Sequence, residues 1–149
     1  MASTRRLSLL FSVFALLALP LTASADQAED FGDYRVHYNA FVSNLLTPEV
    51  ARAYDLTRSR YHAVVNITVQ KKQDGDYKPV SAKVTGTATN LYGKQQRLDM
   101  KKVTERTAIY YLGELPFSNE ETLKFDIQVT PEGEQIAHNI QFKQQFFVD

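Results

Sequence analysis

The chain of 149 residues has no cysteine and no tryptophan. Without a thiol there is no disulfide staple, no thiolate metal centre and no cysteine nucleophile. Methionine is confined to Met1 and Met100, so soft-ligand metal chemistry has little to draw on. The six glycines are scattered singly, which excludes a phosphate-cradling loop, and no G-x-S-x-G nucleophile turn occurs. Charge of one sign is missing as well: 17 basic side chains face 17 acidic ones, and nothing draws the chain to nucleic acid or an anionic membrane. No apolar run reaches the roughly 20 residues that a spanning helix needs.

What the sequence does contain begins with an address. Arg5 and Arg6 precede an apolar run from Leu7 to Leu21, and Ala23-Ser24-Ala25 follows as an A-x-A cleavage site. Residues 1–25 are therefore expected to be a secretory signal peptide that is cleaved. Arg5-Arg6 resembles a twin-arginine start, but Ser8 stands where an apolar residue is usual, so the general export route and a periplasmic destination are expected. No membrane span is expected after cleavage. The mature chain of 124 residues keeps 15 basic and 17 acidic side chains, all eight tyrosines and seven of nine phenylalanines. That is enough for one domain with its own core.

Residues 26–33 read as a flexible acidic arm, and 34–149 as a single domain. Tyr34, Val36, Tyr38 and Ala40 alternate with Arg35, His37, Asn39 and Phe41, the mark of a half-buried strand. Thr47-Pro48-Glu49 then opens a two-turn helix as N-cap, N1 and N2, with Val50, Ala53 and Tyr54 expected on its packed face. Period two returns at Tyr61, Ala63, Val65, Ile67 and Val69, and Asp74-Gly75 is a strong hairpin signal. Strands follow from Tyr77 to Asn90, around Leu98 and Met100, from Ala108 to Leu112, from Leu123 to Val129, and through Ile136, His138, Ile140 and Phe142. The expected fold is all-β: an immunoglobulin-like antiparallel β-sandwich of about seven strands with one short helix inserted after the first. A small closed barrel is the alternative that periodicity leaves open.

Candidate chemistry is sparse. Asp74 with Asp76, and Glu132 with Glu134, are paired carboxylates, but both pairs fall in hairpin turns where acids serve as turn formers. Asp74-Gly75-Asp76 lacks the further oxygen ligands of a calcium cage. His37 and His62 lie on the outward faces of early strands and would form a metal or hydrolytic site only if they met; His138 sits on an apolar face. Asn66-Ile67-Thr68 matches a glycosylation acceptor, or is simply strand. No cofactor is expected.

One stretch does not belong to an ordinary β-meander. Tyr38-Asn39-Ala40-Phe41, Leu46, Pro48-Glu49-Val50-Ala51, Tyr54 and Arg58-Ser59 together resemble the N-terminal signature of the bacterial domain of unknown function 4426 family, and the resemblance extends to Tyr110-Tyr111 and Leu123–Val129. It implies an exported proteobacterial protein and carries no activity. In structural terms the insert would cap one end of the sandwich, with Phe41 and Leu46 beneath it and Arg58 paired to Glu49 or Asp55. In functional terms Tyr38, Asn39, Tyr54 and Arg58 would wall a groove for a peptide, a carboxylate or an envelope polymer. The expected function is a non-enzymatic periplasmic binding or protein-interaction module, engaging an envelope protein by edge-strand addition beside the aromatic tail Phe146-Phe147. A metal-binding protein or small hydrolase centred on His37 and His62 is the alternative.

Overall fold

The computed structural model describes residues 27–149, so the expected signal peptide at 1–25 lies outside the described residues. Ten strands form: β1 Gln27–Phe31, β2 Tyr34–Val42, β3 His62–Gln73, β4 Asp76–Pro79, β5 Ala82–Asn90, β6 Gln95–Leu98, β7 Lys101–Glu105, β8 Ala108–Pro116, β9 Glu121–Pro131 and β10 His138–Phe146. They make two antiparallel sheets. One runs β1-β2-β3-β8-β7 with β4 also paired to β3; the other runs β10-β9-β5-β6. The fold is the expected β-sandwich, and the two separate sheets do not close into a barrel.

Alternation builds the core directly. Leu123, Phe125, Ile127 and Val129 of β9 are all fully buried, and Ala63, Val65, Ile67 and Val69 of β3 meet them from the facing sheet. Each large apolar side chain so buried contributes about 1.5–3 kcal/mol. The Asp74-Gly75 turn has positive φ at both residues, 52° and 86°, as a two-residue hairpin between Gln73 and Asp76 demands.

The excess over seven strands has three local causes. The acidic segment expected to be a flexible arm instead forms β1, paired with β2 from Gln27↔Tyr38 to Phe31↔Tyr34. Its pairing is made by backbone groups indifferent to acidic side chains, Asp30 grips Arg35 at 2.7 and 3.0 Å, and Phe31 stacks on His138 with ring centroids 4.5 Å apart. The strand expected from Tyr77 to Asn90 splits at Val80-Ser81, because β4 and β5 lie in different sheets. The Tyr111 phenol accepts the Ala82 N–H at 2.8 Å where the chain changes sheets. The strand around Leu98 and Met100 divides for the same reason into β6 and β7. There Met100 occupies the space left by Gly113, where a Cβ would come within 2.5 Å of its sulfur.

The insert between β2 and β3 is a cover. A 3-10 turn at Ser43–Leu45 leads to helix α1, Pro48–Ala53, capped by the Thr47 hydroxyl accepting from Val50 N–H. Leu56 lies with Val64 and Leu112 in a small second core, flanked by Phe41, Leu46, Tyr54, Val103 and Tyr110. This core sits on the outer face of the six-stranded sheet, which explains why Val64 is apolar at an outward position. The packed face differs from expectation: Ala51 is buried, whereas Val50 and Ala53 are exposed. A six-residue helix has no full apolar stripe, so one small residue and the following Leu56 make the contact. Ile136 also departs from expectation, lying 74% exposed before β10 begins.

Candidate functional site

Among the described residues β1 pairs with Tyr34 to Tyr38, whereas β3 pairs with all nine residues of β2 on the other side. Among the described residues no strand lies beside Asn39–Val42 on the β1 side. The facing sheet ends in β10 at the same place, and among the described residues no strand bridges β2 and β10 along this side. The opening is a cleft of about 530 Å³ between β2 and β10.

The cleft is apolar inside and polar along one seam. Tyr38, Ala40 and Val42 contribute from β2, and Phe142 and Phe146 from β10, with Tyr38 and Phe142 rings 4.8 Å apart. Burial, and next the Glu29 carboxylate, push the Tyr38 phenol above its ordinary pKa. Gln144 Nε2 donates to the Ala40 carbonyl at 2.9 Å, which shows that this carbonyl points out along the edge. In an antiparallel ladder one residue exchanges both its N–H and its C=O with one partner, so the Ala40 and Val42 backbones face the opening. Leu45 and Phe147, 75% and 52% exposed, stand at the rim. The arrangement is suited to receiving an extended chain: backbone groups for a ladder, and an apolar slot for alternate side chains.

Of the four residues expected to wall one groove, Tyr38 and Asn39 both line the β2–β10 cleft, whereas Tyr54 and Arg58 lie in the insert. Tyr38 faces the inter-sheet core and Asn39, next along the strand, faces outward. Tyr54 packs on the outer face within the insert, its hydroxyl donating to Glu105, and that bond, then burial, raises the phenol's pKa. Arg58 is exposed and donates from Nε to the Leu46 carbonyl at 2.8 Å, not to Glu49 or Asp55. Its work is to hold the insert's two arms together. Asp55 is instead held by Lys101, whose ammonium donates to the Asp55 carbonyl at 2.8 Å.

The histidines are dispersed. His37 lies opposite Thr68 in β3, six residues along from His62, which puts the two imidazoles about 20 Å apart at the rise of a strand. His37 Nε2 is 2.9 Å from Gln70 Oε1, and His62 Nδ1 is buried with no partner. His138 closes the sandwich edge against Phe31. Among the described residues no group of three histidine or carboxylate side chains converges. Asn66 of the glycosylation motif is half-buried in the middle of the six-stranded sheet.

Of the residues that make the cleft, Ala40, Val42, Gln144 and Leu45 carry no chemical signature in the sequence, whereas Tyr38, Asn39 and the aromatic tail Phe146-Phe147 point there beforehand.

Comparison with known proteins places this geometry. A DUF4426 family protein from Pseudomonas aeruginosa PAO1, known by its crystal structure, is 41% identical, with a TM-score of 0.75 over 85% of this chain and 98% of that one. FetP of uropathogenic Escherichia coli strain F11 is similar in fold alone, at 8% identity and a TM-score of 0.57 over 82% of this chain and 93% of that one. A copper-bound variant of FetP aligns equally well, at 8% identity and a TM-score of 0.57 over 82% of this chain and 95% of that one. The curated proteins give no match. The family model for the domain of unknown function DUF4426 matches residues 28–149, from β1 to the last residue, and the chain belongs to that family.

Proposed function

We propose that the chain is a periplasmic, non-enzymatic interaction module that takes an extended segment of an envelope protein as an added strand on the open half of β2. The observation that carries this reading is the apolar cleft beside Ala40 and Val42, where the outward-pointing Ala40 carbonyl is held only by the Gln144 side chain among the described residues. The expected cleavage fits this reading: a chain cut after Ala25 keeps one residue, Asp26, before Gln27, too few to run beside all of Asn39–Val42. A residue opposite Ala40 or Val42 points into the slot lined by Phe142 and Phe146, which selects small or apolar side chains at alternate positions. Gln144, now on the Ala40 carbonyl, is the group an arriving strand displaces.

A photo-crosslinking amino acid at Val42, in protein expressed and exported from its full-length gene, tests the reading. The expected result is a product whose sequence begins at Asp26, recovered in the periplasm, with a discrete protein adduct at Val42 and none from the same probe at Thr85 on the opposite sheet. Ala40→Pro, which removes the edge donor, abolishes the adduct, and Asn39→Ala keeps it. Retention in the cytoplasm, or adducts indifferent to Ala40→Pro, would contradict the proposal.

A further inference from the structure

The outer face of the six-stranded sheet holds a second hollow, which shares Tyr38 and Asn39 with the β2–β10 cleft. Its floor is a square of four side chains on two adjacent strands: His37 and Asn39 of β2 opposite Thr68 and Asn66 of β3. Tyr110 of β8 forms a wall, and the hollow measures about 260 Å³. Cross-strand neighbours of this kind have Cβ atoms about 4.5–5.5 Å apart, so the four polar ends converge on one small space.

Three features of this hollow go beyond what the fold requires. The Asn66 side-chain oxygen is buried and has no hydrogen-bond partner among the described residues, a desolvation cost that an apolar residue would avoid. Leu112 and Val64 beside it show that apolar residues are accommodated on this face. Next, the wall is held in place: Tyr110 packs against the small core under the insert, beside Leu56 and Tyr54. Lastly, no carboxylate, ammonium or guanidinium lines the hollow. Amides, a hydroxyl and an imidazole both donate and accept, and they offer nothing to offset the desolvation of an ion.

We infer that this hollow is a binding site for a neutral, polyhydroxylated ligand, a saccharide unit of a glycan. With the Asn66 amide turned so that its oxygen meets the hollow, sugar hydroxyls donate to it and accept from the Asn39 amide and the Thr68 hydroxyl. The Tyr110 ring offers an apolar face to the sugar's C–H groups, as small-ligand sites combine apolar walls with a few placed polar groups. His37, anchored on Gln70 at 2.9 Å, presents its remaining ring nitrogen to the same space. The insert acquires a second role here, because the core it seals against Tyr110 fixes the wall of the site.

The test is a titration of the protein with a neutral N-acetylhexosamine trisaccharide and, in parallel, with trigalacturonate, followed by NMR of the asparagine side-chain amides. The expected result is a saturable shift of the Asn39 and Asn66 signals with the neutral sugar alone. Asn66→Leu is predicted to weaken that binding about tenfold or more while raising the melting temperature, because it removes a buried acceptor without a partner. Thr68→Val, isosteric and on the same floor, weakens binding without unfolding the sheet. Absence of saturation, equal shifts with the charged sugar, or an Asn66→Leu protein that melts lower and binds unchanged would each overturn the inference.

Discussion

At the residue scale, a few side chains carry structural duties that their type does not announce. Ser43 is fully buried at the start of the insert, where its hydroxyl lies 2.7 Å from the Thr57 carbonyl and accepts the Ser59 N–H at 2.9 Å. Ser43→Ala strands both groups, with an expected loss of about 1–3 kcal/mol in denaturant unfolding. Gly86 is constrained by space: a Cβ there would meet Ile127 Cδ1 at 2.6 Å and the Asp126 carbonyl at 3.3 Å inside a filled core. Gly86→Ala is expected to cost about 1–3 kcal/mol, and Gly113→Ala less, since the flexible Met100 can yield. The raised phenols of Tyr34, Tyr38 and Tyr54 set an alkaline limit. A group whose folded pKa lies above its unfolded value contributes stability below the ordinary tyrosine value of 10.0 and loses it as pH rises through the folded value. Stability measured by denaturant midpoint therefore falls above pH 10, and Tyr54→Phe flattens part of that fall.

At the element scale, the insert is a separable layer on a finished sandwich. Leu56 is the apolar anchor of its small core, so Leu56→Ala is expected to cost about 2–5 kcal/mol if the two layers unfold together. If the cover opens alone, hydrogen exchange rises across residues 43–60 and stays slow in β3 and β9. The helix start at Thr47-Pro48 and the hairpin at Asp74-Gly75 were legible in the sequence because local chemistry decides them: a hydroxyl cap, a residue with no N–H, and positive φ. β1 was not legible, because ladder pairing depends on where the neighbouring edge lies and its acidic side chains report only exposure. The splits at Val80-Ser81 and Asp99-Met100 were equally hidden. A strand that changes sheets keeps its alternation, and what breaks is its set of partners.

At the scale of the whole molecule, two sheets and their core follow from period-two patterning, while which edge of β2 lies beside β10 is a matter of strand order that no residue type encodes. Of the expected groove residues Tyr38, Asn39, Tyr54 and Arg58, the first two line the β2–β10 cleft, while Tyr54 packs in the insert's small core and Arg58 donates to the Leu46 carbonyl. β10, which ends in Phe146, is the outer strand of the four-stranded sheet, and the edge of β2 proposed for docking lies across the cleft from it. Amide hydrogen exchange along β2, in protein processed by the exporting cell, is the most direct measurement of that edge. Asn39 and Phe41 point their N–H groups at β3 and exchange slowly, whereas Ala40 and Val42 exchange fast and become protected when the crosslinked partner's segment is added. Slow exchange at Ala40 and Val42 in the unbound protein would mean that the edge is already filled, and the account of β2 as a docking strand would fall.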